Sequence, residues 1–282
     1  MRLKRVFGET YLKLLEITNP MVPGWRDHDE GKILFLLTCI LPRDSFVVEL
    51  GVFMGRTMRY LVGGTLISRS KVLGVDTFNG VMPGERVEID MWKWWESICR
   101  SDSEGVAWLN IQTLFNHDNT LFPHVSLFRG TTELAVKSHA PGSVDMVVVD
   151  ADHTRAWGDF ELWEPTLKPW GMVVFDDVHN PVYGVNSPAN AVVWLQRKGW
   201  KAYAAVGKIV ALTRDPEWWD IRREAFVDHH GGAGPGHEGA GQDPVPGGDE
   251  SLRGGGVPGG GGLHADHVHA GPAGPEEDGR GE

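Results

Sequence analysis

Apolar and polar positions follow two rhythms along this chain. Residues 8–18 and 29–41 carry apolar side chains at helical spacing, the second with acids at its start, and Pro42-Arg43-Asp44 breaks it. Residues 46–48 form an apolar run that reads as a buried strand. It ends in Glu49 and a glycine turn, and 58–68 resumes helical spacing. A second strand, 71–75, closes at Asp76; a third, 125–128, closes at Gly130 before a short helix over 132–138. Residues 144–149 are almost unbroken in apolarity, as a strand covered on both faces requires. A helix over 157–167 leads to the strand 172–175, which ends in Asp176-Asp177, and 190–198 is the last clear helix. Residues 200–206 and 209–213 flank Gly207-Lys208, a two-residue turn that predicts an antiparallel hairpin. Strands alternating with helices and finishing in a hairpin predict an α/β sheet, parallel except at one edge.

Two stretches stand outside that rhythm. Residues 81–121, with Met91-Trp92-Lys93-Trp94-Trp95, form a long excursion between the second and third strands. It reads either as an amphipathic helix covering the sheet or as a lid over an apolar or planar acceptor. From Gly231 onward the chain holds 19 of its 37 glycines, 6 prolines and almost no large apolar residue. Such a segment cannot bury enough surface to offset its ordering entropy, so disorder is expected for 231–282. The expected organisation is N-terminal helices over 1–45, one α/β domain over 46–230, and the tail.

Charge narrows the partners. The tail has nine acids and two bases, so it carries −7 of the total −11 and leaves only −4 for the rest. Nothing there favours nucleic acid. Cys39 and Cys99 lack metal-ligand spacing, no apolar core follows the basic N-terminal residues, and no run approaches a membrane span. A soluble cytoplasmic protein with no membrane partner is the expectation; the sequence is compatible with a homo-oligomer.

Candidate chemistry gathers at the strand ends. A glycine turn (Gly51, Gly55) lets a ligand lie against bare backbone, and the helix after it offers unpaired N–H groups. An acid closing the next strand, Asp76, is placed to take ribose hydroxyls. A dinucleotide site would need G-x-G-x-x-G, whereas this chain has E-x-G-x-x-x-G-x-T, from Glu49 to Thr57. Glu49 would sit badly beside a pyrophosphate and suits a ligand bearing positive charge. The motif resembles the first motif of class I S-adenosylmethionine (SAM)-dependent methyltransferases, and Asp76 matches their ribose-binding acid. The resemblance implies their Rossmann-like sheet with its C-terminal antiparallel hairpin. It also implies a SAM site lined by Glu49, Gly51, Gly55, Thr57, Asp76, Thr77, Phe78 and Thr131.

Two further acidic strand ends face that crevice. Asp150-Ala151-Asp152-His153 follows one buried strand and Asp176-Asp177-Val178-His179 the next. Adjacent strands lie about 5 Å apart, so Asp150 and Asp176 are expected to face each other and to need a proton or a cation between them. Hard oxygen ligands favour Mg²⁺. The segment 143–179 resembles small-molecule O-methyltransferases with an Asp-Gly-Asp-His turn, departing from them at Ala151 and Trp170. The resemblance implies metal ligands at Asp150, Asp176 and Asp177, and a catalytic role for His153 where catechol-type enzymes carry a lysine. A small hydroxylated acceptor, sugar or phenolic, would then be activated by His153 or Asp150 as base, or by the cation as Lewis acid. The competing reading is a catalytically silent SAM- or partner-binding module on the same fold.

Several residues read more simply. Asp152 is expected to be solvated or to cap the following helix, Asp159 and Glu161 to form a solvated helix face, and His179 to be a loop histidine. Asn180-Pro181-Val182-Tyr183 resembles an amino-methyltransferase signature but comes one strand late and reads as a turn. The tail's His264, His267 and His269 could bind metal adventitiously.

Overall fold

A computed structural model describes residues 2–22, 26–79, 103–112, 124–179 and 184–231. The chain divides into two units, Met1–Gly234 and Pro235–Glu282, and every described residue lies in the first. The expected disorder beyond Gly231, the tail histidines, the Asn180-to-Tyr183 turn and most of the 81–121 excursion lie outside the described residues.

The order of elements is α1 (Arg2–Thr18), α2 (His28–Cys39), β1 (Phe46–Leu50), α3 (Arg56–Ser68), β2 (Lys71–Asp76), α4 (Ser103–Gln112), β3 (Val125–Arg129), α5 (Thr132–Ala135) and β4 (Val144–Val149). Then come α6 (Ala156–Trp163), β5 (Leu167–Phe175), α7 (Pro188–Arg197), β6 (Lys201–Val206), β7 (Ile209–Thr213) and α8 (Pro216–Gly231). The seven strands lie in the order β3-β2-β1-β4-β5-β7-β6. β1 to β5 pair in parallel, while β7 runs antiparallel to both β5 and β6. Gly207-Lys208 makes the hairpin turn, as its sequence predicted.

Alternation along the central strands builds two cores. On β4, Met146 and Val148 join Leu61, Phe35 and Trp219 on one face; Val147 and Val149 join Phe160, Trp163 and Leu195 on the other. Every residue of β4 is buried, which explains a run that is apolar but for Asp145. β5 starts at Leu167, earlier than its apolar pattern showed, because Lys168, Pro169 and Trp170 extend the strand where it is half-covered. Helix α8 was not anticipated: its weak amphipathicity hides Trp219, which is fully buried and donates its indole N–H to the Trp170 carbonyl at 2.8 Å.

Two sequence expectations are corrected. Asp159 is buried, not solvated, and accepts a 2.5 Å hydrogen bond from the Thr132 hydroxyl, tying α6 to α5. Burial pushes its carboxyl up to about 6. Of the two readings of Asp152 only the cap fails: the residue is half-exposed, its Oδ1 accepts the Thr154 N–H and hydroxyl in a local turn, and α6 begins only at Ala156. Glu161 and His179 are exposed, as expected.

Candidate active site

Register sets out the site. Leu50 pairs with both Val75 and Val149, and Val149 with Phe175, so the strand ends align. The ladder runs one step further, because the N–H groups of Gly51, Asp150 and Asp176 donate to the Val75, Leu50 and Val149 carbonyls. Asp76, Gly51, Asp150 and Asp176 therefore form a row across the carboxyl edge, where the strand order reverses between β1 and β4. Open α/β sheets bind ligands at this switch point.

Only glycine serves at position 51. Its φ is +90°, and a Cβ would lie 2.1 Å from the Asp150 carbonyl oxygen. Gly55, at φ +78°, caps α3 in the left-handed region, and a Cβ there would press on the Ala107 carbonyl and Ile111 of α4. Asp76 holds the turn between these glycines. Its Oδ2 accepts the Val52 and Phe53 N–H groups, each at 2.8 Å, and its Oδ1 accepts Phe78 N–H at 2.7 Å. The Thr77 backbone adds to this hold, so the carboxylate serves mainly to shape the turn.

Glu49 is the most unusual group. It lies on the same face of β1 as Val47, fully buried, and neither carboxylate oxygen has a hydrogen-bond partner among the described residues. Burial first, then the negative charge of Asp150, holds its carboxyl well above the usual glutamate range against the pull of Arg26. A buried acceptor pair without donors is costly unless a ligand supplies them.

The carboxylates of β4 and β5 converge as expected: ligand atoms of Asp150, His153 and Asp176 lie within 4.8 Å of one another. Asp177, just beyond β5 at φ +52°, joins them through His153, whose Nε2 is 3.4 Å from Asp150 Oδ1 and 3.5 Å from Asp177 Oδ2. Burial and the neighbouring Asp176 charge push Asp150 up to about 7. Burial would raise Asp176 too, but Arg26 and Lys208 outweigh it and hold that carboxylate below its ordinary range.

Those two cations are the residues that sequence reasoning missed. Arg26, 2 % exposed in its side chain, spans both acids: Nη2 is 2.9 Å from Asp150 Oδ2 and Nη1 is 2.8 Å from Asp176 Oδ1. Its Nε donates to Thr57 Oγ1 at 3.1 Å. Lys208, in the hairpin turn, places Nζ 2.7 Å from Asp177 Oδ1 and 3.3 Å from Asp176 Oδ2. Burial opposes charge on both, and the facing carboxylates overcome it. Only a count of unbalanced acids at the strand ends could have signalled them, and it would not have said which of the 27 Lys and Arg residues answered.

Thr57 is thus committed to orienting Arg26. Thr131 is exposed and caps α5 by accepting Leu134 N–H, and Thr77 is half-buried with its hydroxyl near Asn79 N–H. Phe78 is buried, with the Arg129 guanidinium 5.9 Å from its ring centre.

A family model described as a methyltransferase domain matches residues 48–178, which run from β1 to the turn after β5 and include every acid of the row. Residues 48–178 are similar to a methyltransferase domain, on a Rossmann-like methyltransferase fold. The solved O-methyltransferase NovP is similar at 17% identity over 75% of this chain and 99% of that one, with a TM-score of 0.52. A protein of Corynebacterium glutamicum is similar at 12% identity over 73% of this chain and 89% of its own, with a TM-score of 0.50. These likenesses show the fold. No curated protein matches the chain.

The residues of this site fit SAM. Glu49 offers an ammonium two buried oxygens that have no partner among the described residues, and Gly51 offers a turn without a side chain. They do not fit Mg²⁺. Each oxygen of Asp150, Asp176 and Asp177 already faces Arg26, Lys208 or His153, whereas the ion demands an open, near-octahedral oxygen set. Among the described residues, no helix is long and apolar enough to cross a membrane.

Proposed function

We propose that this methyltransferase methylates a hydroxyl oxygen of a small metabolite, a sugar or phenolic, with His153 and Asp150 managing the proton. SAM, when bound, supplies a methyl group already activated on a sulfonium, so the protein must align and deprotonate the acceptor. The observation that carries the reading is the placement of His153 between two carboxylates, beside the crevice formed by Glu49, Gly51 and Asp76. An imidazolium formed there by accepting the hydroxyl proton meets negative charge on both sides. Asp150, with its carboxyl near 7, can pass a proton on at neutral pH. The divalent cation expected from sequence is no part of this proposal.

The test is calorimetry of SAM binding to the full chain, followed by transfer of a labelled methyl group to a panel of sugars and phenols. Wild type should bind SAM and Glu49→Gln at least about tenfold more weakly, the value of a charge-assisted hydrogen bond. His153→Ala should keep SAM binding and lose transfer by about 10²-fold or more. Absence of SAM binding to wild type would sink the proposal. Asp76→Ala is a poor substitute, because it also removes the acceptor of three backbone N–H groups.

A further inference from the structure

We propose that Arg26 and Lys208 take the place of a divalent cation, so that the acid row is neutralised from within and methyl transfer is independent of metal. The inference deepens the proposed function and rests on that reading for its catalytic meaning.

Three carboxylates within one small volume repel one another unless positive charge intervenes. Here two side-chain cations intervene, and both are held by the scaffold. The Arg26 guanidinium touches Asp150 and Asp176, while its Nε is steered by Thr57 and its own carbonyl accepts a 3.1 Å hydrogen bond from the Asn19 side chain. Guanidinium does not lose its proton in proteins, so this charge is permanent. Lys208 touches Asp176 and Asp177, and its backbone N–H donates at 2.8 Å to Glu30 Oε1, fixing the turn that carries it. Glu30, 3.6 Å from Arg26, is a fourth buried carboxylate beside the same two cations.

A divalent ion would have to displace these contacts. With Arg26 still in place, it would have to share the carboxylate oxygens that the guanidinium already holds. Expelling Arg26 would strand a buried guanidinium. Asp176 decides the matter, since one oxygen faces Arg26 and the other Lys208, leaving neither turned to an ion. Orientation of the acids, which a metal would otherwise provide, comes from Arg26, just before α2, and from the β6–β7 turn.

Electron paramagnetic resonance of Mn²⁺, titrated into the full chain, tests this. In every sample His264, His267 and His269 are replaced by Ala so that tail imidazoles do not contribute. Wild type should show no saturable Mn²⁺ binding up to about 1 mM. Lys208→Met, which frees oxygens of Asp176 and Asp177, should bind one Mn²⁺ at least tenfold more tightly, and adding Asp177→Asn should abolish that gain. Should Lys208→Met fail to fold by circular dichroism, Lys208→Gln replaces it. One Mn²⁺ bound by wild type in the micromolar range overturns the proposal, as does a folded Lys208 variant that binds no better than wild type. SAM calorimetry on the same samples reports the methyltransferase reading separately, so either can fail alone.

Discussion

At the scale of single residues, the site places groups where an empty fold would not want them. Glu49 is a fully buried carboxyl without a donor among the described residues. Its folded-state affinity for a proton is raised, so between the ordinary glutamate range and its folded value the native state binds more protons than the unfolded chain. That contribution to stability is present at low pH and lost as pH rises. Glu49→Gln removes it. Thermal unfolding of the ligand-free protein should show the variant gaining on wild type from pH 5 to pH 8, by roughly 2–4 °C for each kcal/mol recovered, even as SAM binding weakens. Gly51 tests the opposite demand. Gly51→Ala combines a positive φ with a Cβ driven against the Asp150 carbonyl. Urea titration should show a loss of about 2 kcal/mol or more, an effect of backbone incompatibility and overpacking together.

At the scale of elements, function depends on how loops are tied to helices. The β6–β7 turn is far from α2 in sequence, yet Glu30 of α2 holds it: Oε1 accepts Lys208 N–H and Oε2 accepts Asp27 N–H at the helix start. The same carboxylate lies 3.6 Å from Arg26. Glu30→Ala should therefore loosen both cations of the site at once. Hydrogen exchange should quicken at Lys208 and at the start of α2 while the β4 and β5 amides stay protected, with a stability loss of about 2 kcal/mol. Acceleration spread evenly over the sheet would mean that Glu30 supports the whole fold and not the latch. Both contacts were invisible in sequence. The acids at the start of the 29–41 pattern read as an ordinary helix start, and Gly207-Lys208 as an ordinary hairpin turn.

Across the whole molecule, the two cores clamp a sheet whose open carboxyl edge carries nearly all the candidate chemistry. Because SAM would bind the folded chain and not the unfolded one, it should stabilise by mass action. At a concentration about 100 times Kd the gain is about 2.7 kcal/mol, which corresponds to a rise in Tm of roughly 5–10 °C. A thermal shift assay checks this directly. No shift at saturating SAM would contradict the crevice as the cofactor site. The parallel sheet, its antiparallel end and the acid row were legible because each rests on local pattern: strands buried on both faces are apolar almost throughout, and an acid directly after such a strand must lie at the sheet edge.

The sequence by itself thus determined the α/β class, the glycine turn after β1, and the carboxylates of Asp76, Asp150, Asp176 and Asp177 at one edge. These follow from residues adjacent along the chain, whose burial pattern and turn chemistry act over a few positions. Only the tertiary structure decided what those carboxylates face. Arg26 meets Asp150 across 124 positions of sequence and Lys208 meets Asp177 across 31, and no local pattern distinguishes either from other basic residues. Whether Asp159 is solvated, whether Glu49 has a donor, and whether the acid row needs a metal all depend on what packs against them. Charge in a protein interior is set by neighbours in space, and those neighbours exist only once the chain has folded.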